Sequence, residues 1–165
     1  MSELRRDPIG GRWIIVNTDE PLRPQDYEHE SKHNWRQGVC PFCYGNESLT
    51  PPEIIAIRDA STSANTPGWQ VRVVPNKFPA LQIEGDLERR PQGLYDMSNA
   101  IGAHEIVIET PYHHKDLSDL QDSELTSILH VYAQRSLDLE RDRRFKYIMI
   151  FKNYGPAAGA SLEHP

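Results

Sequence analysis

The chain has 165 residues, an apolar share of 38% and a formal net charge of −6, which sets one domain of ordinary size as the expectation. Its acidic balance argues against a nucleic-acid binder that relies on a broad basic face, yet loop amides and a few cations suffice to hold a nucleotide. No apolar run nears the roughly eighteen residues of a membrane span, and MSELRRDPIG lacks the apolar segment of a signal peptide, so a cytoplasmic location with no membrane partner is expected.

In chain order, Arg5 to Gly11 reads as a turn and Arg12-Trp13-Ile14-Ile15-Val16 as a first strand, with Trp13 expected in the core. Residues 17–38 are polar and contain Arg23-Pro24. Val39-Cys40-Pro41-Phe42-Cys43-Tyr44-Gly45 is a knuckle, two thiols three positions apart, turned by proline and closed by glycine. Thiols at that spacing reach one ion, and zinc takes tetrahedral thiolate and imidazole ligands. A redox pair wants this motif beside a βαβ pattern, and Thr50-Pro51-Pro52 interrupts any helix here. Inert thiols are the third alternative.

Glu53 to Arg58 reads as a strand, and Trp69-Gln70-Val71-Arg72-Val73-Val74 alternates with period two as a half-buried strand. It runs into Asn76-Lys77-Phe78-Pro79-Ala80. A carboxamide there suits ribose hydroxyls or a base edge and an aromatic face suits a ring; a strand-ending turn with a core phenylalanine is the alternative. Residues 81–100 read as an irregular surface excursion. Residues 102–110 form a strand leading to Pro111-Tyr112-His113-His114, whose histidines suit a third metal ligand. His104 alternates with Ile106 and Ile108 and is expected to be structural. Asp122 or Ser123 caps one long helix reaching about Arg143, with Leu125, Ile128, Leu129, Tyr132 and Leu139 on its apolar stripe. Arg141, Arg143 and Arg144 complement its C-terminal dipole. Tyr147 to Phe151 reads as a buried strand. It enters NYGPAAGASLEHP, whose small residues allow close backbone approach and whose consecutive amides could cradle a phosphate.

The motifs NxGxxAGASxxHP, CPFC, NKFPA and ETPYHH, in this order, make the chain resemble the N-terminal half of the galactose-1-phosphate uridylyltransferase family, part of the histidine-triad-like nucleotidyl transferases. The resemblance implies an α+β, histidine-triad-like fold over residues 1–165: a mostly antiparallel sheet with one long helix on a face. It implies a structural zinc held by Cys40, Cys43, His113 and His164, with His114 the runner-up to His113. Asn76, Lys77, Phe78, Asn153, Gly159, Ala160 and Ser161 would bind nucleotide and phosphate, with Arg23 aligned to one basic residue of the family. A UDP-sugar and a sugar 1-phosphate are the implied substrates, a homodimer the implied assembly. The family motif continues His-Pro-His, and its second histidine is the nucleophile. This sequence stops one residue short, so no catalytic residue is expected within it.

Overall fold

The computed structural model describes residues 2–18, 39–154 and 164. Its elements are β1 (Ser2–Arg6), β2 (Trp13–Asn17), β3 (Ile55–Arg58), β4 (Trp69–Pro75), β5 (Arg90–Gln92), β6 (Tyr95–Asn99), β7 (Glu105–Ile108) and α1 (Asp122–Leu139). They form an α+β protein with two antiparallel sheets, ordered β2-β1-β6-β5 and β3-β4-β7. Among the described residues no helix is long and apolar enough to cross a membrane. Two compact units divide the chain: 2–18 with Phe78–His104, and 39–77 with Glu105–154 and His164.

The first unit carries the four-stranded sheet. The turn read at Arg5 to Gly11 is shorter than expected, because the polar stretch before it forms β1 and pairs with β2 from Ser2↔Asn17 to Arg6↔Trp13. The Asp7 carboxylate closes that hairpin by accepting the Ile9 and Gly10 amides at 2.9 and 3.1 Å. Trp13 is 45% exposed on this sheet and is no core residue. The excursion read at 81–100 contains the β5–β6 hairpin, with Met97 and Ser98 buried. Its strand Arg90-Pro91-Gln92 has no apolar alternation to announce it; the pairing follows from the turn, where Gly93 takes φ +60°.

The second unit holds the apolar core. Central β4 pairs with β3 and β7. Val71 and Val73 pack with Leu120, Ile128 and Val131, and Trp69 and Val74 with Ile108 and Phe42. Burying each such side chain contributes roughly 1.5–3 kcal/mol. β4 is therefore buried on both faces, not half-buried. Its one cation, Arg72, is 1% exposed. It bonds Glu53 at 3.0 Å, Thr50 at 2.9 Å and Asn65 at 3.2 Å.

The helix is capped by Gln121, whose amide donates to Glu124 at 2.8 Å in a capping box, and not by Asp122 or Ser123. Val131 is buried on its inner face, whereas Leu129 is exposed. Arg141 and Arg144 lie past the helix end and pair with Asp138 and Asp142, so local ion pairs rather than the dipole engage them. Residues 147–151 form no strand, and Tyr147, Met149, Ile150 and Phe151 are exposed. Apolar composition does not make a strand without a ladder for its amides and carbonyls, and no described strand pairs with this run.

Candidate metal centre

Cys40, Cys43, His113 and His164 offer one ligand atom each, and those four atoms lie within 4.8 Å of one another. The knuckle is built by its own backbone. Cys40 Sγ accepts the Phe42 amide at 3.4 Å, and Asn46 Nδ2 donates to the Cys40 carbonyl at 2.8 Å. Gly45, at φ +85°, reverses the chain after Cys43. His113 sits in the turn that follows β7, where the Lys115 amide donates to the Tyr112 carbonyl at 3.3 Å.

The geometry fits a tetrahedral zinc. Cys43 Sγ is 3.5 Å from His113 Nδ1 and 3.7 Å from His164 Nδ1, and Cys40 Sγ is 3.6 Å from His164 Nδ1. Zinc–sulfur and zinc–nitrogen bonds of ordinary length at a tetrahedral angle separate those atoms by about 3.6 Å. His164 Nε2–H donates to the Thr110 carbonyl at 2.7 Å. That bond fixes the tautomer and leaves the Nδ1 lone pair facing the thiols, as a metal-ligating imidazole requires. Phe42 stands edge-on to the His164 ring with centroids 5.8 Å apart. His114 is outside the group and meets His113 edge-on at 4.7 Å.

Electrostatics agree with that donor set. Burial first, opposed by the Thr110 hydrogen bond, holds His164 below its ordinary value, so the ring is neutral as ligation demands. Burial, then the neighbouring Cys40 thiol, pushes Cys43 up to about 11. A bound cation reverses this, because a coordinating thiol loses its proton outright.

Among the described residues, the other sequence-derived candidates are less enclosed. Asn76 is half-buried just beyond β4, and Lys77 and Asn153 are exposed. Phe78 is 82% exposed, which excludes the reading of it as a core residue. Arg23, Gly159, Ala160 and Ser161 lie outside the described residues. Sequence reasoning gave no role of their own to Asn46, Glu109 and Thr110, although the last two open the motif ETPYHH. Glu109 had one visible signal: it puts a charge at the end of the apolar run Ile106-Val107-Ile108.

A family model described as galactose-1-phosphate uridyl transferase, N-terminal domain, matches residues 2–165. The ADP-glucose phosphorylase of Arabidopsis thaliana is 34% identical over 98% of this chain and 46% of its own length. A galactose-1-phosphate uridylyltransferase of Thermotoga maritima is 26% identical over 100% of this chain and 45% of its own length. Among solved structures, that of an Arabidopsis thaliana ADP-glucose phosphorylase with bound ADP-glucose superposes with a TM-score of 0.65 at 32% identity, over 99% of this chain and 46% of the other. A uridylyltransferase structure superposes with a TM-score of 0.69 at 30% identity, over 99% and 43%. The chain thus spans about half the length of the curated relatives it matches.

Proposed function

Because the chain belongs to the galactose-1-phosphate uridyl transferase family through its N-terminal domain, we propose that it supplies the metal-anchored half of an enzyme transferring a nucleotidyl group between a nucleoside diphosphate sugar and a sugar 1-phosphate. The observation that carries this reading is His164, engaged at both ring nitrogens, by Thr110 on one side and the thiols on the other. A zinc ion with four protein ligands keeps no open position for water, so its contribution there is structural.

His164 has no free lone pair and does not attack phosphorus. The nucleophile we assign is a histidine directly after Pro165, two positions beyond His164 and on the same side of an extended backbone. Its imidazole attacks the α-phosphorus of UDP-glucose, the bond to glucose 1-phosphate breaks, and glucose 1-phosphate leaves. A phosphate oxygen of galactose 1-phosphate then attacks the uridylyl-histidine, releasing UDP-galactose and the free imidazole. Asn153, the Gly159 and Ala160 amides and the Ser161 hydroxyl stabilise the charge on the phosphoryl oxygens. Arg23 and Lys77 add local positive charge, and Asn76 and Phe78 hold ribose and base. The active form is a cytoplasmic homodimer.

A second reading, transfer from an ADP-sugar, is favoured by the identity of 34% with the ADP-glucose phosphorylase against 26% with the Thermotoga maritima uridylyltransferase. The test uses the protein extended past Pro165, incubated with UDP-glucose or ADP-glucose. An acid-labile, base-stable phosphoramidate on the residue after Pro165 is expected, and none on residues 1–165 alone. Asn76→Ala and Phe78→Ala should each weaken nucleotide binding by about 1–3 kcal/mol, the usual cost of losing a hydrogen-bonding group or an aromatic contact. Tighter binding of ADP-glucose selects the second reading. No adduct with either sugar nucleotide overturns both and leaves a zinc-bound module.

A further inference from the structure

Glu109 follows β7, and the residue is only 6% exposed. A buried carboxylate is costly unless it is hydrogen-bonded and paired. Here each oxygen has one partner: the Tyr132 hydroxyl, from α1, donates to Oε1, and the Lys152 ammonium donates to Oε2. Burial first, then the bond to Glu109, holds Tyr132 well above the ordinary phenol value, so its proton stays in place to donate. The next residue, Thr110, is also buried, and its carbonyl accepts the His164 Nε2–H at 2.7 Å. Two successive residues at the end of β7 therefore hold the chain at both sides of residues 155–163, through Lys152 before them and His164 after them. Tyr154 adds a more exposed tether, its hydroxyl donating to Asp116 at 3.0 Å.

We propose that Glu109 is a positioning residue: by holding Lys152 it restrains the adjoining Asn153, so that Glu109 and Thr110 together set the spacing between Asn153 and His164. The inference rests on the reading of Asn153 as the residue that orients the substrate phosphates. Glu109 is no catalytic base, since both oxygens are engaged and the group is buried. Lys152 is a tether rather than a free phosphate cation, because its charge is matched by Glu109. The ion pair gives this anchor a direction that an apolar contact would lack. Its two ends lie 43 residues apart in sequence, so only the folded unit brings them together.

The test uses zinc-replete protein extended past Pro165, with Glu109→Gln, Lys152→Met, the double variant and the conservative Lys152→Arg. Each single change should slow formation of the nucleotidyl adduct about tenfold or more, the scale of a small misplacement of a reacting group. Nucleotide affinity and zinc content should stay within about twofold of wild type, since binding and rate are separable by kinetics. The double variant should be no slower than either single one, and Lys152→Arg should recover most of the rate. Amide and side-chain resonances of Asn153, recorded without nucleotide, should move in Glu109→Gln and Lys152→Met and return in Lys152→Arg. Unmoved Asn153 resonances, or additive losses in the double variant, overturn the proposal. So does loss of zinc in Lys152→Met, which would mark a general scaffold role. Moved resonances in a protein that forms no adduct with either sugar nucleotide support the anchor while removing the catalytic reading it was joined to. Should Glu109→Gln fail to fold, Lys152→Met, changed at a side chain 30% exposed, carries the same comparison.

Discussion

The strands β2 and β4 have opposite fates from what composition suggests. Trp13-Ile14-Ile15-Val16 is wholly apolar, yet Trp13, Ile14 and Ile15 are exposed. Gln70-Val71-Arg72-Val73 is half polar, yet Val71, Arg72 and Val73 are all buried. What separates them is cover. α1 lies over Val71 and Val73, and Glu53, Thr50 and Asn65 satisfy the Arg72 guanidinium. Residue hydrophobicity states what gains from burial; the elements brought against a strand decide whether it is buried. The unit with β4 also holds the thiol–imidazole cluster, so the apolar core and the candidate metal centre belong to one unit.

Removing a thiol from that cluster should break the contrast most severely. Cys43→Ala, or Cys40→Ala, leaves three ligands and is expected to reduce bound zinc from about one per chain towards none. The loss of stability is on the order of 5 kcal/mol or more, since the affinity of a structural zinc site is itself folding free energy. Metal analysis and thermal unfolding check both. A variant that kept its melting temperature but lost turnover would make the metal catalytic and overturn the structural assignment.

The next change compares the two strands directly. Arg72→Met removes one of two cations on Glu53, which keeps Arg58 at 2.6 Å. Breaking a buried pair typically costs 3–5 kcal/mol, and the surviving Arg58 places this case near the low end, about 3 kcal/mol. Trp13→Ser on β2 should cost less than about 1 kcal/mol, as surface substitutions do. Urea unfolding of the two variants gives the order, and a larger loss for Trp13→Ser would show that β2 is covered in solution.

Much of this was legible in the sequence because it depended on local pattern. The CPFC spacing points to a metal, the strand 69–74 alternates, and the stripe at Leu125, Ile128 and Tyr132 has the helical period. Three features resisted for a common reason, that a distant partner creates them. β1 reads as the charged SELRR and becomes a strand only beside β2 and β6. Arg72 reads as an exposed polar position until Glu53, nineteen residues before it, is folded against it. Glu109 and Thr110 hold Lys152 and His164, more than forty residues away in each case. Tyr147 to Phe151 shows the converse, an apolar run with no described partner strand.

The smallest expected effect lies in the unit with the open sheet and is a pH dependence. His104 Nδ1 accepts the Ala80 amide at 3.0 Å, which requires that nitrogen to be unprotonated. The link joins the segment after Phe78–Pro79 to the residues before β7, where Gln82 also bonds Ala100 and Gly102 at 2.9 and 2.8 Å. Burial holds the His104 pKa below its ordinary value, so between the folded and unfolded values the unfolded chain binds more protons. Stability from this group is then fully present above about pH 6.5, the unperturbed histidine value. It is lost as pH falls from there towards the lowered folded value, with a slope of at most about 1.4 kcal/mol per pH unit. His104→Asn keeps an acceptor oxygen close to the Nδ1 position and removes the titration. Urea midpoints recorded from pH 7.5 to 5 at fixed zinc should therefore fall more steeply for wild type than for His104→Asn. Contributions common to both proteins cancel in the difference. Parallel curves would mean that His104 is already solvated in the folded chain and that the Ala80 amide does not depend on it.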